Sequence, residues 1–216
     1  AVPAGSQSVG VATTITHFAA NNSETNRMNV DTIISRRALR EIYLRGFQYA
    51  VETAQPWALM TSDNKLNGAY TSQRADLVTQ VLRDEWGYQG MVMSDWFAGD
   101  DPVAQLKAGN DLIQPGGVNF ANGGNYTDYL TRVKTAFTNG EISEEVITDD
   151  ATRILTQVLK TTTNQGVGGG NNPDLNAHAQ ISKQAAEEGM VLLKNDNSAL
   201  PIASGKKIAA FGIAQI

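Results

Sequence analysis

Gly90-Met-Val-Met-Ser-Asp95-Trp96 is the stretch that decides the fold of this chain. An apolar run, Met91 to Met93, ends in a carboxylate with an aromatic directly behind it, and Gly99-Asp100-Asp101-Pro102 then breaks the chain. Parallel strands are covered on both faces, so they read as short unbroken apolar runs, and α/β enzymes present reactive groups at the C-terminal ends of such strands. Asp95 is therefore the first candidate for chemistry. The competing reading is a carboxylate that only caps the turn behind it.

Upstream, Val11-Ala-Thr-Thr-Ile-Thr-His17-Phe18 is rich in β-branched residues and reads as a strand ending near His17. Ala19 to Asn29 is polar and Asn-rich, which suits a loop over a site. Ser35 is a natural N-cap for a helix to about Thr53, with Leu39, Ile42, Tyr43, Phe47 and Ala50 at helical spacing. Trp57 to Met60 is a second apolar run, closed by Thr61-Ser62-Asp63-Asn64, and a helix from Gln73 to about Trp86 carries Leu77, Val81 and Leu82 before Gly87 stops it.

Downstream, Pro102 opens a short helix that ends before Gly109, and Asp111-Leu-Ile-Gln-Pro115 reads as a fourth strand. A Gly/Asn loop, with a glycosylation sequon at Asn125-Tyr126-Thr127, leads to a helix from about Tyr126 to Asn139. Ser143-Glu144-Glu145 opens a long helix to about Thr162, striped with Ile147, Ile154, Leu155 and Val158.

Four strand–helix alternations predict βαβ units and a parallel sheet. The strands end in His17, Asp63, Asp95 and Gln114, the arrangement expected at the active-site face of a (β/α)₈ barrel. A whole barrel takes about 250 residues and eight units, so residues 1–162 are expected to hold half of one. Thr161 to Asn172 is dense in Gly and Asn and reads as a linker, assigned to 163–176. A helix from about Ala177 to Lys194 and a strand at Lys206 to Gly212 then open a second α/β domain over 177–216. Both ends read as cut from a longer protein, since no initiator Met or signal-peptide pattern precedes Ala1 and the chain stops in a fresh unit.

Composition narrows the classes. With 17 basic against 22 acidic side chains the net charge is −5, and no Lys/Arg cluster offers a nucleic-acid surface. No apolar run approaches the roughly 20 residues of a membrane span, so a soluble protein is expected. The absence of cysteine rules out disulfides and thiolate metal sites, and leaves cytoplasmic and secreted or periplasmic locations open. Gly166-Val-Gly-Gly-Gly170 has no strand before it and no helix after it, so it is not a dinucleotide fingerprint. Asp100-Asp101 and Asp149-Asp150 read as solvated turn and helix-start charges rather than metal ligands. No cofactor and no metal is called for.

Five blocks follow one another along the chain: His17-Phe-Ala-Ala-Asn-Asn-Ser-Glu-Thr-Asn-Arg27, Met60-Thr-Ser-Asp-Asn-Lys-Leu-Asn-Gly68, Val92-Met-Ser-Asp-Trp96, Lys107-Ala-Gly-Asn-Asp-Leu112, and Val191-Leu-Leu-Lys-Asn195 with Leu200-Pro201. Together they resemble glycoside hydrolase family 3, and most closely its β-glucosidases. That resemblance implies a (β/α)₈ barrel joined by a linker to an α/β sandwich, of which this chain holds the second half of the barrel and the first strand of the sandwich. The rest would come from the same protein or another chain. It implies a retaining, exo-acting β-glycosidase, most simply a β-glucosidase acting on terminal β-D-glucosyl residues of β-glucosides or short β-linked oligosaccharides.

By the same resemblance Asp95 is the nucleophile that forms a covalent glycosyl-enzyme. His17 and Arg27 line the sugar pocket, and Trp96 offers an apolar face to the sugar ring. Each has a plainer reading, as a satisfied barrel histidine, an exposed loop charge and a core indole.

Two positions depart from the pattern, Thr16 where the family has Lys and Asp63 where it has Tyr. Loss of a charged donor to a sugar hydroxyl is worth about 1.5–3 kcal/mol if buried. A carboxylate at Asp63 either raises the pKa of one of two neighbouring acids or turns toward Arg27 as an ion pair. A retaining enzyme also needs a proton donor about 5–5.5 Å from the nucleophile. The resemblance puts that donor on a Glu beyond Ile216, with Glu24 and Asp63 as the local candidates. The Pro-Gly-His loop of the N-acetylglucosaminidase branch is replaced here by Ala19-Ala20-Asn21-Asn22, against that activity. The alternative is a sugar-binding relative whose catalysis is impaired by Thr16 and Asp63.

Overall fold

The computed structural model describes residues 2–119 and 127–213, so the Gly/Asn loop after Asn119 and the sequon at Asn125 lie outside the described residues. The chain forms two compact units, 1–168 and 169–216.

In the first unit, helix α1 (Val2–Gln7) precedes strand β1 (Thr14–Phe18), and the two-residue strand β2 (Asp31–Thr32) follows. A helical run over 36–54 comprises α2 (Arg36–Ala38), a π turn (Leu39–Tyr43) and α3 (Arg45–Ala54). Next come β3 (Ala58–Thr61), the hairpin β4 (Lys65–Leu66) and β5 (Ala69–Tyr70), and a π-helix (Asp76–Glu85). After β6 (Met91–Met93) the chain forms α4 (Pro102–Lys107), the paired segments β7 (Val118–Asn119) and β8 (Thr127–Asp128), α5 (Tyr129–Thr138) and α6 (Glu144–Leu159). The fold is α/β, with parallel strands alternating with helices as in TIM-type barrels.

The caps read from sequence are in place. The Ser35 side chain accepts from Ala38 N, Asp101 accepts from Val103 N with Pro102 behind it, and Ser143 accepts from Val146 N. Each satisfies a helix-start amide that would otherwise lack a partner. Gly87 and Gly109 take φ of 68° and 84° at the helix ends, a conformation that costs Gly little.

Strands β1, β3 and β6 form one parallel sheet in that order. Phe18, Leu59, Val51, Val78, Leu82 and Val92 are fully buried between the sheet and its helices, each worth about 1.5–3 kcal/mol of transfer free energy. Phe18 meets Phe47 and Trp86 edge-on, at 5.1 and 6.0 Å between centroids. A smaller cluster of Val103, Ala136 and Ile142 joins α4 to α5.

Four expectations need correction. First, Ile42 is 69% exposed while Leu44 is buried, because the π turn admits an extra residue and shifts the helical phase after it. Second, the fourth strand reduces to a single parallel bridge between Met93 and Leu112. Third, Leu155 and Val158 of α6 face outward, at 60% and 47% exposure, and the buried residues of that helix are Asp150 and Gln157. The inner face of α6 is polar because it meets charge and bare backbone: Arg153 and Asp150 join Asp111 and Arg83 in a buried cluster, and Gln157 donates to Gln89 O at 3.4 Å. Asp150 is thus no solvated helix-start charge, whereas Asp149 is exposed.

The fourth correction concerns the second unit. Its helix α7 (Leu175–Gly189) is capped by Asp174, which accepts from Ala177 N at 2.9 Å. Asn195 pins the following turn through Leu200, donating to its carbonyl and accepting from its amide. Residues 206–211 form no strand, since a strand requires an edge to pair with and the described residues of this unit supply none.

Burial raises the pKa of Asp150 to about 8, and the neighbouring Asp111 carboxylate adds to the shift while Arg153 and Arg83 oppose it. The folded chain therefore keeps a proton that the unfolded chain releases near pH 4, and stability falls as pH climbs from about 4 to about 8. Asp150→Asn keeps an acceptor for Arg153 without that penalty. Thermal melts should show the variant gaining on the wild type as pH rises, by about 2–4 °C for each kcal/mol recovered. A gap that stays constant from pH 5 to 9 would contradict the burial of this acid.

Candidate active site

Strand register brings the site together. Ala58, Leu59 and Met60 pair with Met91, Val92 and Met93, and β1 pairs with β3 from Thr14 opposite Ala58 to Phe18 opposite Thr61. The parallel strands therefore release His17, Asp63 and Asp95 on one end of the sheet.

Asp95 leaves β6 through a braced corner. Ser94 is fully buried, its N–H donates to Leu112 O at 2.9 Å, and its Oγ accepts from Gln114 N at 2.8 Å. Three residues on, Phe97 N donates to Gln114 O at 3.0 Å. Phe97 takes φ of 64°, a strained conformation for a bulky residue costing on the order of 1–3 kcal/mol, and it reverses the chain directly behind Trp96. Asp95 Oδ1 accepts from Trp96 N at 2.7 Å. Its Oδ2 lies 3.3 Å from His17 Nε2, with the Asp95 side chain only 13% exposed.

Asp63 sits between two anchored neighbours. Ser62 donates its N–H to Phe18 O and to Thr71 Oγ1, and its Oγ to Ala19 O. Asn64 donates its side-chain amide to Lys65 O and Ala19 O. The Asp63 carboxylate points inward at 1% exposure, with Arg27 Nε 3.1 Å from its Oδ2. The guanidinium stands near but out of line, and neither Asp63 oxygen has an aligned hydrogen bond. A buried carboxylate so poorly served is costly in its charged form. Its pKa rises to about 6, first through burial and then through the Asp95 charge, while Arg27 and His17 pull the other way and Glu24 adds a small upward push.

Arg27 also pairs with Glu24 at 3.2 Å on the exposed side. Glu24, Arg27, Asp63, Asp95 and His17 thus form a row in which the two carboxylates of Asp63 and Asp95 are neighbours, flanked by Arg27 on one side and His17 on the other. Trp96 is 49% exposed and so is not a core indole, and Thr16 is exposed next to His17. The five candidate residues are brought to one end of the sheet, and both readings of Asp63 hold at once: it is near a second carboxylate and near Arg27. Glu24 is 75% exposed and tied to Arg27, which takes it out of contention as a proton donor beside Asp95. The bracing by Ser62, Asn64, Thr71, Ser94 and Gln114 escaped sequence reasoning; four polar residues directly after an apolar strand, Thr61 to Asn64, were the available signal. Among the described residues no three acidic or histidine side chains cluster to hold a metal ion.

The strand ends thus gather two carboxylates, an arginine and a histidine beside an exposed tryptophan. Residues 2–157 match the family described as glycosyl hydrolase family 3 N terminal domain, and the chain belongs to that family. It is 41% identical over 208 residues to thermostable beta-glucosidase B of Acetivibrio thermocellus, covering 96% of this chain and 26% of that protein. An exo-alpha-(1->6)-L-arabinopyranosidase of Bifidobacterium breve is 42% identical over 93% of this chain and 25% of its own length. Among solved structures, beta-glucosidase 3B from Thermotoga neapolitana in complex with glucose superposes with a TM-score of 0.91 at 50% identity, covering 99% of this chain and 30% of that one. The chain therefore spans about a quarter of the curated relatives it matches.

Since Arg27 holds the Asp63 pKa down, Arg27→Met should move it further up, above about 6. Carbon-13 titration of the labelled Asp63 carboxyl by NMR reads this directly. A downward shift, or none, would contradict the electrostatic link between the two.

Proposed function

We propose that this chain is the second half of the (β/α)₈ barrel, residues 1–162, of a retaining exo-acting β-glucosidase, followed by a linker at 163–176 and the opening of the sandwich domain. The observation that carries the reading is the placement of Asp95: a part-buried carboxylate at the end of a parallel strand, braced on both sides, with one oxygen held by backbone and the other turned to His17. Family membership and the beta-glucosidases among its relatives support the reaction class.

In this mechanism Asp95 Oδ2 attacks the anomeric carbon, the glycosidic bond breaks, and a glycosyl ester forms on Asp95. Water then attacks the same carbon, releasing the sugar with its configuration retained. Asp95 must point at one face of the ring, which its short bond to Trp96 N and its position at a strand end favour. Trp96 supplies an apolar platform for the ring's C–H face. His17, Arg27 and Asp63 are the polar contacts for its hydroxyls, and hydroxyl donors would satisfy the two Asp63 oxygens that lack an aligned partner. The proton donor for the leaving oxygen is assigned to the part of the protein outside this chain.

The test uses the full-length protein and an aryl β-glucoside. Asp95→Ala should lower kcat by about 10⁴-fold or more. Added azide should then restore aglycone release and give the α-glucosyl azide, because a small external nucleophile replaces the missing carboxylate on the same face. Full activity in the variant would overturn the assignment, and so would a wild-type protein that binds glucose yet never releases aglycone.

A further inference from the structure

Beyond the site lies an unusual closure on the far side of β6. That edge makes one parallel bridge, with Leu112 N donating to Val92 O at 3.1 Å and Ser94 N to Leu112 O at 2.9 Å. A parallel ladder continued by two residues would use Asn110, whose N–H would serve Gly90 O and whose carbonyl would serve Val92 N. Asn110 does not do so, because its N–H donates to Gln105 O at 3.1 Å. Two side chains fill the same places instead. Arg83 Nη1 donates to Gly90 O at 3.0 Å, and Val92 N donates to Asp111 Oδ2 at 2.6 Å. The two are joined to each other, Arg83 Nη2 to Asp111 Oδ2, at 2.8 Å. Arg153 Nη1, from α6, holds the other Asp111 oxygen at 2.9 Å.

We propose that the Arg83–Asp111 ion pair stands in for a peptide group of the sheet and acts as the positioning device for Asp95. The donor end meets a strand carbonyl at Gly90 and the acceptor end meets a strand amide at Val92, five and three residues before Asp95. The inference rests on Asp95 being the nucleophile. An extended strand transmits position along its length, so fixing Gly90 and Val92 from the outer edge, with Ser94 fixed by Leu112, sets where the Asp95 carboxylate stands. Gly90 suits this role, because a Cβ there would come within 2.6 Å of Pro56 O and run into the Tyr88 hydroxyl. The Asp111 side chain is fully buried and that of Arg83 is 11% exposed. A buried ion pair returns little net stability over an apolar pair of similar volume, but an apolar pair could not answer a bare carbonyl and a bare amide. Directionality is the property this pair adds.

The test compares Asp111→Leu, Asp111→Asn and Arg83→Lys in the full-length protein, with active sites counted by the burst from a slow 2-deoxy-2-fluoro-glucoside. A misplacement near 1 Å costs about 10²-fold in rate, so Asp111→Leu should lose about that much kcat per titrated site with KM little changed. Arg83→Lys keeps the charge but loses the fork, and should fall the same way. Asp111→Asn keeps an acceptor for Val92 and should lose least. Fewer titrated sites, each with wild-type kcat, would mark a purely structural pair and overturn the proposal. Amide exchange supplies a readout without turnover: Val92 and Ser94 should exchange faster in Asp111→Leu while the β1 amides do not, and unchanged protection at Val92 would overturn it independently. A wild type without glycosidase activity would instead refute the reading of Asp95 and leave the exchange result to decide the ladder.

Discussion

Parallel register is the constraint from which the rest follows. Leu59 lies opposite Val92 and Met60 opposite Met93, so β3 and β6 run out of ladder together and turn their next polar side chains to the same end of the sheet. A slip of one residue would reverse every side chain between faces, burying Asp95 and expelling Val92. The full burial of Leu59 and Val92 holds that register. Packing of apolar side chains along the strands thereby determines where the carboxylates beyond them meet.

Charge is buried at both ends of β6, and is handled in opposite ways. At the start, Asp111 accepts from Val92 N, Arg83 and Arg153. Such a carboxylate is satisfied and serves as structure. At the exit, Asp63 is as deeply buried but has Arg27 nearby without an aligned bond. Poorly satisfied buried polar groups concentrate where a ligand completes them. The two carboxylates thus differ in how they are satisfied, although both are hidden from solvent.

Much of this was legible in the residues. Ser35, Asp101-Pro102, Ser143, Gly87 and Gly109 act through local hydrogen bonding and local φ, so their positions as caps and stops could be read directly. Asp95 and Asp63 could be picked out because each follows a short apolar run, and His17 because it ends a β-branched one. What stayed hidden depended on partners distant in the chain. Asp111 looked like the first residue of a strand, but its side chain takes the Val92 amide and the ladder stops. Leu155 and Val158 sit at helical spacing, but α6 turns Asp150 and Gln157 inward to meet Arg153 and the Gln89 carbonyl. Periodicity reports hydrophobicity and is blind to such demands. The phase shift at Ile42 has a different origin, a π turn that no simple helical period anticipates. Residues 206–211 have strand composition, and the described residues of their unit offer no edge to join.

The central claim is that Asp95 becomes covalently bonded to the sugar. The most direct measurement is mass spectrometry of a proteolytic digest of the full-length protein after reaction with an activated 2-deoxy-2-fluoro-β-glucoside. Fluorine at C2 destabilises the positively charged transition states and leaves the glycosyl-enzyme long-lived. The account predicts a single peptide, spanning Met91 to Trp96, heavier by one fluoroglucosyl group, with fragment ions placing it on Asp95. A label on Asp63 or Glu24, or an enzyme that turns over the glucoside with no labelled peptide, would contradict it.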